Sequence, residues 1–212
     1  MAAAVQAPER LVILEPVSWQ TYERLLEEQQ GRGGTRFTYD RGILEIMVLS
    51  IQHERLAGIL TTLVDLLVLE FRLDSESLGS TTFRRPDLQQ GFEPDSCFYI
   101  QHAEAVRGRA EIDLLVDPPP DLTIEIDITH QSLDRLPLFA AVGIPEVWRY
   151  HAGRVEILVL ENSAYGPAEQ SLSFPALSPA LLNQFVQEGE RLNKSAWMRG
   201  VREWARSVQS MD

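Results

Sequence analysis

The chain has 212 residues, of which 44% are hydrophobic and 24% charged, with 19 basic residues against 31 acidic ones and a formal net charge of −12. That balance supports a buried core and excludes a disordered chain, and the length suits one domain with at most an appended tail. The acidity excludes a protein that holds nucleic acid by bulk positive charge, because neutralising phosphates takes Lys and Arg.

Cys97 is the single cysteine, so neither an internal disulfide nor a cysteine-based zinc site is available within one chain. Its expected place is a buried strand, and a reducing cytoplasm is the expected compartment. The longest apolar candidate, Leu56 to Leu69, is broken by Thr61, Thr62 and Asp65, so no membrane span is expected. Met1 to Pro8 lack the basic start and apolar run of a signal peptide.

Residues 1–10 read as a disordered tail. Ser18 then precedes WQTYERLLEEQQ, whose Trp19, Tyr22, Leu25 and Leu26 have helical spacing, and Gly31 to Gly34 end that helix. Two β-rich runs flank Asp40-Arg41-Gly42, which predicts a hairpin. Ile51 to Arg72 carries Leu56, Ile59, Leu60, Leu63, Leu66 and Leu67 with a period near 3.6, the longest predicted helix. Ser75 to Phe83 reads as a strand, RRPDLQQGFEPD as a turning polar stretch, and residues 96–100 as a short buried strand. Asp117 and three prolines make a stiff loop. In LTIEIDIT (122–129), Leu122, Ile124, Ile126 and Ile128 share one face, and Thr123, Glu125, Asp127 and Thr129 the other. Ser132 to Val142 reads as a helix ending at Gly143, followed by a second hairpin, 146–151 and 154–161, turning at Ala152-Gly153. A Pro- and Ser-rich linker leads to helices near Pro179–Glu188 and Ser195–Ser207. Helices alternating with strands predict an α/β domain, a mixed sheet flanked by helices.

Three carboxylates stand where strands could bring them together. Asp95 opens the strand 96–100, and Glu125 and Asp127 lie mid-strand on the polar face of 122–129. Rigid, adjacent carboxylates suit a hard divalent cation such as Mg²⁺, which also relieves their mutual repulsion. The same spacing fits a half-exposed strand whose polar face meets solvent. Of the two Pro-Asp pairs, Pro86-Asp87 runs into a turn, whereas Pro94-Asp95 runs into a strand.

The segments GFEPDSCFYI, PPPDLTIEIDIT, SLDRLPLFAAVGIPEVWRYHAGRVEILVL and SIQHERLAGIL, in their order, resemble the putative restriction endonuclease family of the PD-(D/E)XK nuclease superfamily over roughly residues 15–160. The resemblance implies a restriction-endonuclease-like fold over 11–165, with 166–212 as a C-terminal helical extension packed on the same domain. It implies a metal site in which Asp95 and Glu125 hold Mg²⁺ or Mn²⁺, with Glu54 completing it, and His53 at a family histidine position. The superfamily lysine is replaced by Asp127, and Arg135 occupies the position from which a basic residue can enter the site. Arginine stabilises phosphate charge but cannot act as a base. Asp127 is then a further ligand or orients the attacking water.

The expected function is metal-dependent hydrolysis of DNA by Asp95, Glu125, Asp127 and Arg135. A non-catalytic binding or scaffold protein on the same fold is the alternative, and a carboxylate-pair glycosidase a distant third. Arg84, Arg85, Arg107 and Arg109 could form a local basic stripe for DNA. Trp197 and Trp204 on the C-terminal helices lie beyond the resembling core and call for burial, which predicts a homodimer.

Overall fold

The computed structural model describes residues 10–29, 34–128 and 133–210. In chain order its elements are β1 (Arg10–Leu14), α1 (Trp19–Gln29), β2 (Thr35–Asp40), β3 (Ile43–Val48), α2 (Ile51–Phe71), β4 (Glu76–Ser77), β5 (Phe83–Arg85), β6 (Gln90–Phe92), β7 (Ser96–Tyr99), α3 (Ala103–Val106), β8 (Leu122–Asp127), α4 (Leu136–Val142), β9 (Glu146–His151), β10 (Arg154–Glu161), β11 (Ala164–Pro167), α5 (Pro179–Arg191) and α6 (Lys194–Gln209). They form two sheets flanked by helices, an antiparallel one in the order β1-β3-β2-β6-β5 and a mixed one in the order β11-β10-β9-β8-β7-β4. The β8–β9 pair is parallel, crossing over through α4, while β7–β8 and β9–β10 are antiparallel.

The predicted periodicities account for this arrangement. The α2 stripe of Leu56, Ile59, Leu60 and Leu63 packs on Leu122, Ile124 and Ile126 of β8, with Phe185 of α5 and Trp197 and Val201 of α6 closing the same core. A second core lies on the opposite face of the mixed sheet, where Cys97 and Val147 meet Leu138 and Phe139 of α4 and Phe83 and Phe92 of the antiparallel sheet. The central strand β8 is therefore covered on both faces, and its polar row does not look out to bulk water. Burial pushes the Cys97 thiol up to about 12, as befits an inert core residue.

Both predicted hairpins close on paired positive-φ residues, Arg41-Gly42 and Ala152-Gly153, whose twist matches the flanking strands. Gly91 has a different role: a Cβ there would lie 2.2 Å from the Tyr22 hydroxyl, because α1 presses its ring onto β6. Tyr22 also stacks on Tyr39 at 5.0 Å.

Several boundaries differ from the sequence reading. Arg10 opens a strand, pairing with Val48, while residues 1–9 lie outside the described residues. Only Glu76–Ser77 of the expected 75–83 strand pairs with β7, and the polar stretch after it is a hairpin, β5–β6, turning at Pro86–Gln89. The presumed linker before α5 contains β11. Helix α4 starts at Leu136 because Pro137, which lacks an N–H, fits only a first turn; Gly31, Thr129 and Ser132 lie outside the described residues.

Trp197 is 2% exposed and donates from Nε1 to the Phe185 carbonyl at 2.8 Å. Trp204 packs edge-on against Phe71 and Phe185. Burial of Trp197 and partial burial of Trp204 inside one chain remove the reason for expecting a homodimer. No helix among the described residues is long and apolar enough to cross a membrane.

Candidate active site

The covered polar face of β8 is where the predicted carboxylates lie. Ser96 pairs with Ile124 across the antiparallel β7–β8 ladder, so Asp95, one residue earlier, stands beside Glu125. The ladder itself holds Asp95: its N–H donates to the Ile124 carbonyl at 3.2 Å, and its Oδ2 accepts from the Ile126 N–H at 2.7 Å. His53 Nε2 lies 3.1 Å from the same Oδ2, an ion-pair distance without hydrogen-bond alignment.

Helix geometry decides which α2 residue comes here. Residues 53, 56, 60, 63 and 67 form one stripe, and that stripe faces the core, so His53 is buried. Glu54 is turned about 100° away, is exposed and stays outside the cluster. The carboxylate that enters instead is Glu45, from the centre of β3 in the other sheet, and it is fully buried. Its signal in the sequence was a lone charge inside the apolar run ILEIMV.

Arg135, at the start of α4, joins the two sheets. Its Nη1 donates to Glu125 Oε1, its Nη2 to Glu45 Oε1 at 3.0 Å, and the Leu133 N–H donates to Glu45 Oε2. Three carboxylates thus share a pocket with a single contacting guanidinium among the described residues. Asp95 and Glu125 are each 7% exposed and Arg135 is 3% exposed. Asp95 Oδ1 and Glu125 Oε2 are buried with no hydrogen-bond partner. Burial pushes the Glu125 carboxyl up to about 8; Arg135 opposes that rise, and the charges of Asp95 and Glu45 add to it. Burial works against the Arg135 charge, but Glu125, Asp95 and Glu45 outweigh it and keep the guanidinium protonated.

Asp127 stands two residues on, half-buried, and its Oδ2 lies 2.9 Å from His151 Nδ1 on β9. It is not in the Arg135 contact set. Glu93 lies on the sheet-to-sheet seam, accepting from the Phe37 N–H and the Thr82 hydroxyl, and burial raises its pKa. A cavity of about 200 Å³ opens beside the cluster, lined among others by Glu125, Asp127, Asp134, Arg135, Arg149 and His151.

The donor chemistry fits a divalent cation. Three buried carboxyl groups share one contacting guanidinium, and two of the unpartnered buried atoms are carboxyl oxygens. As they stand, no three such groups among the described residues are arranged around one point, because Arg135 bridges Glu45 and Glu125. Three members of the expected basic stripe are neutralised by carboxylates, Arg85 by Asp87, Arg107 by Asp74, Glu76 and Glu104, and Arg109 by Asp117, which leaves the exposed Arg84.

A family model described as Uma2, putative restriction endonuclease, matches residues 19–189. No curated protein matches the chain significantly. Among solved structures, the crystal structure of a putative nuclease belonging to DUF820 from Anabaena variabilis matches with a TM-score of 0.55 at 14% identity, covering 81% of this chain and 99% of that one. Identity that low speaks to the fold alone, which this chain shares with the DUF820 protein. The family match spans every strand but β1, with α2, Arg135 and most of α5, and the chain accordingly belongs to the Uma2 family of putative restriction endonucleases.

Proposed function

We propose that this protein is a metal-dependent endonuclease that hydrolyses DNA phosphodiester bonds, with Mg²⁺ or Mn²⁺ held by Asp95 and Glu125. The observation that carries the reading is the buried excess of carboxylate over guanidinium, with Asp95 Oδ1 and Glu125 Oε2 lacking any protein partner. Glu45 is the third carboxylate of the site, and Glu54, exposed on α2, stands outside it.

A bound divalent cation supplies charge for the phosphoryl oxygens and makes water a better nucleophile near neutral pH. The chain's own groups do the rest. Asp95 is fixed by two β-ladder hydrogen bonds and backed by His53, so it presents its free oxygen with little reorganisation. Arg135 balances the carboxylates, and with a cation held by Asp95 and Glu125 its guanidinium would serve the phosphate, meeting charge that develops in the transition state. It stays protonated and takes no proton from water. Asp127, aligned by His151, orients that water.

The second reading is a nuclease-fold binding module without catalysis, favoured by the Arg135 bridge that already occupies Glu125 and Glu45. One experiment separates the two. Calorimetric titration with Mn²⁺ and cleavage of duplex and single-stranded DNA are measured on the wild type, Asp95→Ala and Glu125→Ala. The nuclease reading expects metal binding and cleavage that both substitutions abolish. Asp127→Lys, which restores the superfamily residue, should raise turnover if the missing lysine is what weakens the site, and lower it if Asp127 is itself a metal ligand. Wild-type protein that neither binds Mn²⁺ nor cuts either DNA would establish the binding module instead.

A further inference from the structure

One cation of the site has no part in the chemistry above. Arg149 lies on β9 beside Glu125 in the parallel β8–β9 register, as His151 lies beside Asp127. In-register neighbours on adjacent strands point to the same face, so Arg149 looks into the space that Glu125 looks into, and both line the 200 Å³ cavity. Arg85, Arg107, Arg109 and Arg135 each grip a carboxylate. The Arg149 side chain makes no ion pair or hydrogen bond among the described residues, and its Nε is buried without a partner. Arg149 is half-buried, and an Nε–H shut off from solvent with no partner is costly unless something else completes it.

The strand order indicates what that is. Asp95 immediately precedes β7, and Glu125 and Arg149 stand on β8 and β9, the next members of the sheet. Neighbouring strands are about 4.8 Å apart, which separates Asp95 from Arg149 by roughly 10 Å at the backbone. A phosphate cleaved over Asp95 and Glu125 therefore leaves Arg149 to the phosphate next to it along the strand. A guanidinium fork fits phosphate oxygens in a bidentate way that no other side chain matches. We propose that Arg149 is a substrate-binding residue that grips the backbone phosphate flanking the scissile one, drawing the DNA strand across the cavity from the β9 side. This rests on the nuclease reading for its substrate. It also explains how so acidic a chain holds a polyanion without a basic surface stripe: one unpaired cation is built into the site itself.

The test uses fluorescein-labelled single-stranded and duplex DNA oligonucleotides. Binding is followed by anisotropy in EDTA over a salt series, and cleavage kinetics are followed in Mn²⁺, for wild type, Arg149→Gln and Arg149→Lys. Arg149→Gln should weaken binding about tenfold, the loss of one charged hydrogen-bonded contact. It should also make the slope of log K against log salt shallower by roughly 0.7–0.9, one phosphate's worth. In cleavage, KM should rise more than kcat falls. Arg149→Lys should keep the slope and recover part of the affinity, since it restores the charge and not the fork. A folded Arg149→Gln protein with wild-type affinity and slope overturns the proposal, whether or not the enzyme cuts. If Arg149→Gln does not fold, Arg149→Lys carries the test, and wild-type affinity in that variant overturns it. Binding whose slope depends on Arg149 in a protein that cleaves with neither metal leaves this inference standing and removes the catalytic reading. Wild-type protein that binds no oligonucleotide removes both.

Discussion

Replacing Arg135 with alanine takes away the guanidinium that contacts both Glu45 and Glu125. Glu45 is fully buried and Glu125 nearly so, leaving little solvent to take over the charge. Breaking a buried pair at one partner costs about 3–5 kcal/mol. Glu125, whose carboxyl is already pushed up to about 8, can take a proton near neutral pH and blunt that cost. The expected loss is thus at the lower end, about 3 kcal/mol, or roughly 6–12 °C in Tm for a chain of this size. Thermal unfolding of wild type, Arg135→Ala, Glu45→Gln and the double variant in EDTA measures it. Glu45→Gln should recover part of the deficit in the Arg135→Ala background, because it removes the charge left stranded. Added Mn²⁺ should raise the Tm of Arg135→Ala more than that of the wild type, since the ion replaces the missing positive charge. A loss under about 1 kcal/mol, with no coupling to Glu45, would refute the view that these carboxylates share one buried guanidinium.

Two further predictions concern the frame around the site. Gly91→Ala places a Cβ against the Tyr22 ring, so it should cost about 1–3 kcal/mol as overpacking, with denaturant unfolding as the measure and an unchanged midpoint as the contrary result. Glu70 on α2 accepts hydrogen bonds from Arg206 and Arg202 on α6, which hold its carboxyl below the ordinary 4.5. A depressed carboxylate pKa stabilises the fold above the unfolded value, and that contribution is lost as the pH falls through the lowered one. The Tm gap between wild type and Glu70→Gln should therefore be full near neutrality and close progressively below about pH 4.5; a gap that stays constant down to pH 3 would show that the joint is not electrostatic.

Whatever depended on neighbours in sequence could be read directly from the chain. The Ser50-capped helix α2, the turns at Arg41-Gly42 and Ala152-Gly153, and the alternation of β8 all follow from local rules of spacing and backbone freedom. Pro94-Asp95 and the LTIEID alternation marked the two strands that carry Asp95 and Glu125, but that these strands are neighbours was decided only by the β7–β8 ladder. Even the choice of His53 over Glu54 was latent in the α2 stripe, since only residue 53 stands in phase with Leu56, Leu60 and Leu63. Glu45 was not legible as a partner of Arg135, 90 residues away, nor was Arg149 as a cavity residue. A period of two says that a strand has two faces; it does not say what covers either of them. Only the stacking of the antiparallel sheet and α4 over β8 turned a polar face into a buried site, because burial and counter-charge are properties of elements that meet in space and not of the segment that carries the residue.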